Sequence, residues 1–244
     1  RFDSIECNVS SREFHTITGL YRGKRISVVS HGIGTDNIDI VLNELDALAN
    51  IDFETRQEKD TFRQLTLVRV GTSGGLQDET PIGTYVAAEH SIGFDGVLYF
   101  YAGSERVRNR AFEEALLKQL DWRVEGLRPY VVPACPELID QICGSDILRG
   151  NTIAANGFYG PQGRQLRLQL QDPELNKKVQ AFQHEGHRLT NYEMESSSLA
   201  GLSALMGHRA MTVCCIIAGR KAQNMNTDYK GSIEGLIDLV LERI

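Results

Sequence analysis

Three short segments concentrate side chains that could do chemistry. Arg69-Val70-Gly71-Thr72-Ser73-Gly74-Gly75 sets a guanidinium, two hydroxyls and glycine amides where an apolar run, residues 65–70, ends. Bare backbone N–H groups beside an arginine make an anion site, although an ordinary strand-to-loop glycine turn fits the same letters. Phe158-Tyr159-Gly160-Pro161-Gln162-Gly163-Arg164 gathers two aromatics, an amide and a guanidinium on a constrained loop. A ring face, a two-way amide and a fork of donors suit a planar heterocycle; a surface loop with a solvated arginine is the plainer alternative. Asn191-Tyr192-Glu193-Met194-Glu195-Ser196 carries two carboxylates at a helix start. One can cap the helix, and two acids flanking a methionine can instead grip a diol.

Other chemistries find less support. Gly32-Ile33-Gly34 has neither P-loop nor dinucleotide spacing and reads as a βα turn. The six histidines form no HxxxH or HExxH pair, so no zinc centre is expected. His184 and His187 fall in a glycine-broken polar segment and read as solvated. There is no GxSxG for a serine hydrolase.

Strands alternating with helices must position these segments. Strands are expected over 25–30, 65–70, 84–89, 130–132 and 209–218, and residues 152–156 precede a loop punctuated by glycine and proline over 157–163. Ile38, Val41, Leu42, Leu45 and Leu48 form one helical face, capped by Thr35 or Asp36. Further helices are expected over 110–120, 193–206 and 232–243. Ser10-Ser11-Arg12-Glu13 reads as a polar stretch ahead of the first strand. The pattern predicts a single α/β domain over residues 1–244, a mixed twisted central sheet flanked by helices. In such folds ligands collect at the carboxyl ends of strands, where three of these segments lie.

Composition bounds the function. The chain has 244 residues, enough for a core without disulfides. Its net charge of −6 argues against a sequence-independent nucleic-acid binder. No apolar run reaches the roughly 20 residues of a membrane span. Five cysteines without CxxC spacing fit a reduced, cytoplasmic protein.

In order, Ser11-Arg12-Glu13-Phe14, Ser30-His31-Gly32-Ile33-Gly34, the Arg69 segment, Phe158-Tyr159…Gln162-Gly163-Arg164, Asn191-Tyr192-Glu193-Met194-Glu195-Ser196 and Ile217-Ala218-Gly219-Arg220 resemble the nucleoside phosphorylase-I family, and within it the uridine phosphorylases. The match spans nearly the whole chain. The resemblance implies phosphorolysis of uridine to uracil and ribose 1-phosphate in pyrimidine salvage. Arg69 and Thr72 would hold phosphate, with Arg12 entering from a neighbouring subunit of a homodimer or dimer-based hexamer. Phe158, Gln162, Arg164 and Arg220 would hold uracil; Glu193, Met194 and Glu195 would hold the ribose. No cofactor is required, and phosphate is a substrate. Glu13 resembles a carboxylate that in some relatives binds a cation, K+ or Ca2+, at the dimer interface near Ile33 and Asn37. Purine-specific relatives carry an aspartate near the end of the strand before Arg220, where this chain has Gly219. The family begins with a strand and a Gly-Asp-Pro turn, and a histidine further upstream, all of which would precede Arg1; the expectation is that an N-terminal piece is missing. Alternatives are a phosphate-independent nucleosidase and a non-catalytic nucleoside-binding protein.

Overall fold

The computed structural model describes residues 1–220 and 224–244. The chain opens with an antiparallel meander of β1 (Ser4–Ser11), β2 (Phe14–Tyr21) and β3 (Lys24–Ser30). Arg12-Glu13 turns β1 into β2, because Ser11 pairs with Phe14. Arg12 therefore sits at the tip of a hairpin, between strands and not ahead of them. Then follow α1 (Thr35–Asn50), a small hairpin of β4 (Ile51–Asp52) and β5 (Gln57–Glu58), β6 (Thr66–Gly75), β7 (Tyr85–Phe94), α2 (Arg110–Gln119) and β8 (Tyr130–Pro133). The chain continues through α3 (Pro136–Ile142), β9 (Leu148–Ala155), α4 (Leu175–Ala181), β10 (Leu189–Glu193), α5 (Ser196–Leu205), β11 (Arg209–Gly219), β12 (Asn224–Met225) and α6 (Lys230–Arg243).

The main sheet runs β12-β11-β6-β10-β9-β7-β8 and is mixed. Strand β11 lies parallel to β6 and also pairs antiparallel with β7 through Val213–Cys215. That second pairing curls β11, β6, β10, β9 and β7 into a closed ring. Helices cover it on all sides. Phe112 and Leu116 of α2 pack with Val179 of α4 on one side. Leu138 of α3 and Leu236 of α6 pack with Met211 and Val213, and Ile38 of α1 packs with Leu199 of α5 and Ala210. Residues of β11 thus enter two different cores, which is why its sequence reads as a continuous apolar run. The expected α/β fold, a mixed sheet flanked by helices, is the one observed.

Three boundaries differ from the sequence expectation, each for a physical reason. Helix α1 begins at Thr35 with Gly34 as its cap, not Thr35 or Asp36. Residues 193–195 are not helical: Glu193 ends β10, and α5 starts at Ser196. Strand β6 does not stop at Val70 but pairs with β11 through Gly75. Its glycines serve close approach, not a turn. A Cβ on Gly75 would lie 2.2 Å from the carbonyl oxygen of Thr80, and backbone cannot move aside cheaply. Gly75→Ala is expected to cost about 1–3 kcal/mol by overpacking, a Tm fall of roughly 2–12 °C by calorimetry for a chain of this size; an unchanged Tm would show that the turn at Thr80 is pliable.

Candidate active site

The site is assembled on the ends of β6, β10 and β11 with two loops. Arg69 projects from β6 beside Gly71, where a Cβ would come within 2.8 Å of the guanidinium. The missing side chain is what makes room for it. Arg69 Nη1 donates to Glu193 Oε2 at 3.0 Å, and Nη2 donates to the carboxylate of Glu195. Its Nε is buried without a partner. Thr72, two residues beyond Val70 in the same strand, is half-buried and in register with Cys215.

The two carboxylates do different work. Glu193 accepts from the backbone N–H of Glu195 at 3.0 Å and of Ser196 at 2.9 Å, and from Ser196 Oγ at 2.6 Å. These are among the orphan donors at the start of α5, so Glu193 is the capping acid. Glu195 accepts from the Gly34 N–H at 2.7 Å and ties the 31–34 loop to α5. Met194, half-buried between them, directs its N–H to Glu195 Oε2 at 3.3 Å.

Burial governs the charges here. It raises the Glu193 pKa, an effect that Arg69 opposes and Glu195 reinforces. Burial works against the charge of Arg69 as well, but Glu193, Cys214 and Glu195 outweigh it and hold its pKa above the ordinary value. Arg69 is a permanent cation. Cys214, 3.5 Å from Arg69 Nη1, is pushed up to about 12 by burial and stays a neutral thiol. His31 is kept neutral by burial and by the charge of Arg69, and its Nδ1 is buried without a partner.

A second cluster lies at Gln162, in a 3₁₀ turn over Gly160–Gln162. Gln162 is only 3% exposed. Its Oε1 accepts from Arg164 Nη1 at 2.5 Å and from Arg220 Nη2 at 2.6 Å, while Arg220 Nη1 donates to the Gln162 carbonyl at 2.6 Å. Arg164 also donates to the Phe158 carbonyl at 2.7 Å. The Arg220 guanidinium lies 4.4 Å from the Tyr192 ring centroid. Among the described residues no carboxylate pairs with Arg164 or Arg220. Burial, aided by Arg164, lowers the Arg220 pKa to about 10, and burial lowers that of Arg164. This end of the site is partly buried, cationic and rich in donors.

The structure therefore brings Arg69, Glu193, Met194 and Glu195 into one cluster and Phe158, Gln162, Arg164 and Arg220 into another. Tyr192, adjacent to Glu193, links the two. Some details depart from expectation. The Gln162 acceptor is taken by two guanidiniums. Phe158 is half exposed, with Arg164 over its ring at 3.9 Å. Arg220 is bonded to Gln162. Arg12 and Glu13 are exposed on the hairpin tip, apart from both clusters. Tyr192, His31 and the Gly34 amide belong to the site although no role was expected for them. They lie inside the matched motifs, but their function depends on contacts with other segments of the chain, such as Gly34 with Glu195, 161 residues away in sequence.

Comparison with known proteins fits this geometry. The family profile of the phosphorylase superfamily matches residues 1–234, and the chain belongs to that family. It is 29% identical to a uridine phosphorylase of Thermococcus kodakarensis, over 86% of this chain and 63% of the relative. The chain thus spans less than two thirds of that relative's length. It is also 25% identical to a DeoD-type purine nucleoside phosphorylase of Alkaliphilus metalliredigens, over 98% of this chain and 84% of the relative. Among solved structures, a Trypanosoma brucei nucleoside phosphorylase described as showing uridine phosphorylase activity superposes with a TM-score of 0.87 at 27% identity, covering 99% of this chain and 86% of the other.

Proposed function

We propose that the protein is a pentosyltransferase that cleaves uridine by phosphorolysis, giving uracil and ribose 1-phosphate in cytoplasmic pyrimidine salvage. The observation that carries this reading is the pair of half-buried guanidiniums on the buried Gln162, with no paired carboxylate among the described residues. As the glycosidic bond breaks, the base departs with negative charge, and fixed donors aimed at it lower the barrier. Arg164 and Arg220 are donors only, which suits the carbonyl oxygens of uracil. Cytosine would offer an amino group with no acceptor to meet it. Substrate binding would draw Arg164 from the Phe158 ring and free that ring face for the base. Relatives of both uridine and purine type match the chain, and Gly219, in the place of the purine enzymes' aspartate, favours the pyrimidine.

At the other end, phosphate meets Arg69, whose unpartnered Nε is a ready donor, and Thr72. Glu195 turns toward the ribose hydroxyls as phosphate takes its place on Arg69, with Met194 against the sugar and Glu193 holding α5 in position. No cofactor enters this scheme. A nucleoside panel tests the specificity: with phosphate present, uridine should be cleaved at least tenfold faster than inosine or adenosine. Faster cleavage of a purine nucleoside would overturn the pyrimidine assignment.

The working unit in this proposal is a dimer. Arg12 stands exposed on the hairpin tip, and Ile5, Val9 and Val28 of the same meander are exposed apolar residues that a second copy could cover. Mixing Arg12→Ala chains with Arg164→Ala chains, each nearly inactive alone, should restore part of the activity, because one site of the mixed dimer then carries neither defect. No recovery would place Arg12 outside the partner's site. Beside Arg12, a Cβ on Gly32 would lie 3.5 Å from Glu13 Cγ and 2.5 Å from Asn37 Nδ2, and the Ile33 carbonyl accepts from Asn37. The Glu13 carboxylate and the Ile33 carbonyl are oxygen groups of the kind that suit a hard cation such as K+ or Ca2+, which would brace the hairpin and stay outside the chemistry.

A further inference from the structure

Glu89, His90 and His187 present one donor atom each within 4.8 Å of one another, all partly buried. Adjacent residues of a regular strand point to opposite faces, so Glu89 and His90 should not meet. A bulge brings them together. Along β7, Ala88 pairs with Gly150 and His90 with Asn151, which leaves Glu89 as the extra residue. Such bulges re-aim side chains and recur beside functional sites. His187 comes from the tight turn before β10, in which His184 and His187 exchange backbone hydrogen bonds at 3.0 and 2.7 Å around Glu185 and Gly186, both at positive φ. The two bonds close the turn that carries His187.

The surroundings set the tautomer. Asn151 Nδ2 donates to the Arg188 carbonyl at 2.8 Å, which turns its Oδ1 toward His90 Nδ1 at 3.0 Å. His90 must then carry its proton on Nδ1 and keep its lone pair on Nε2. A metal-binding imidazole is oriented in this way, its second nitrogen donating to a carbonyl. The His90 and His187 rings meet edge to face at 5.2 Å, and both contact Phe112, so the site has an apolar wall.

We propose that Glu89, His90 and His187 bind a divalent ion of the Zn2+, Co2+ or Ni2+ class, clamping the β7 bulge to the turn that enters β10. Two imidazoles and a carboxylate suit these ions, whereas Ca2+ and Mg2+ prefer all-oxygen shells. Tetrahedral ligands at about 2.1 Å from the metal lie roughly 3.4 Å apart, so small rotamer movements would close the set around an ion and leave a fourth position for water. The clamp would fix the start of the strand whose far end carries Glu193, some six residues or about 20 Å away. It is thus a bracing site, separate from the reacting atoms.

The test uses the untagged protein after chelator dialysis. Co2+ added stepwise should give the visible bands of tetrahedral coordination, saturating at one ion per chain and displaced by Zn2+. At one hundred times Kd, Zn2+ should raise Tm by about 5–10 °C. His187→Ala, on an exposed turn, and Glu89→Gln should each weaken binding on the order of 100-fold and abolish the Tm rise, with circular dichroism confirming that both remain folded. Absence of a 1:1 Co2+ complex in the wild-type protein, or binding unchanged in folded His187→Ala and Glu89→Gln, would overturn the proposal.

Discussion

Arg69→Met should disable the protein twice, in stability and in chemistry. The arginine is the cation shared by Glu193 and Glu195, and the side chains of all three are less than a tenth exposed. Removing it strands two buried carboxylates. Breaking such a pair by deleting one partner costs about 3–5 kcal/mol, which for a chain of this size is a Tm fall of roughly 6–20 °C. The deficit should depend on pH with a definite sign. Burial already raises the Glu193 pKa in the folded protein, and Arg69 restrains that rise. Without Arg69 the folded-state pKa climbs further above the unfolded value. The variant's stability is then best below the unfolded carboxylate pKa and is lost as pH rises through the folded one. The Tm gap from wild type should narrow between pH 7.5 and 5, and a constant gap would mean that the carboxylates find other partners. On the proposed function, phosphorolysis should fall by 10³ or more, since the proposed phosphate donor is lost with the structure around it. Arg69→Lys should recover most of the stability and less of the activity, because an ammonium replaces the charge but not the fork.

Arg164→Ala isolates the base. The side chain is half-buried, and Arg220 remains on Gln162 Oε1 after its removal, so the fold should hold within about 1 kcal/mol. On the proposed function, kcat/KM for uridine should nevertheless fall roughly 10²–10³-fold, because the proposed donor to the departing base is gone. The KM for phosphate should hardly change. A loss below threefold would remove Arg164 from the base site. Deleting one of two neighbouring cations should also let the Arg220 pKa rise toward its usual value, as Arg164 is one of the groups lowering it.

Much of this site was legible in the sequence because its residues cluster in short motifs. Glu193, Met194 and Glu195 are consecutive, and Gln162 and Arg164 share one loop. The division of labour between the two acids was not legible. That Glu193 caps α5 while Glu195 faces Arg69 and Gly34 depends on where the helix begins, and Ser196, Ser197 and Ser198 carry no periodicity to mark it. The apolar strands, such as β11, and the amphipathic α2 showed in their patterns. The glycines of β6 read locally as a turn, yet pairing with β11 continues through them; tertiary context overrides local preference. The meander's first strand carries an alternation, Ile5, Cys7 and Val9, in a stretch too polar to stand out. His187 read as solvated because nothing in its own segment points to Glu89 and His90, which only a bulge and a turn bring near it.

The central claim is that phosphate, not water, takes the ribose. Incubation of the purified protein with uridine, followed by 31P NMR and by uracil absorbance, tests it most directly. With phosphate present, uracil and ribose 1-phosphate should form in equal amounts; with phosphate removed, uracil release should stop. Uracil and free ribose appearing at the same rate without phosphate would contradict the account and make the protein a nucleosidase.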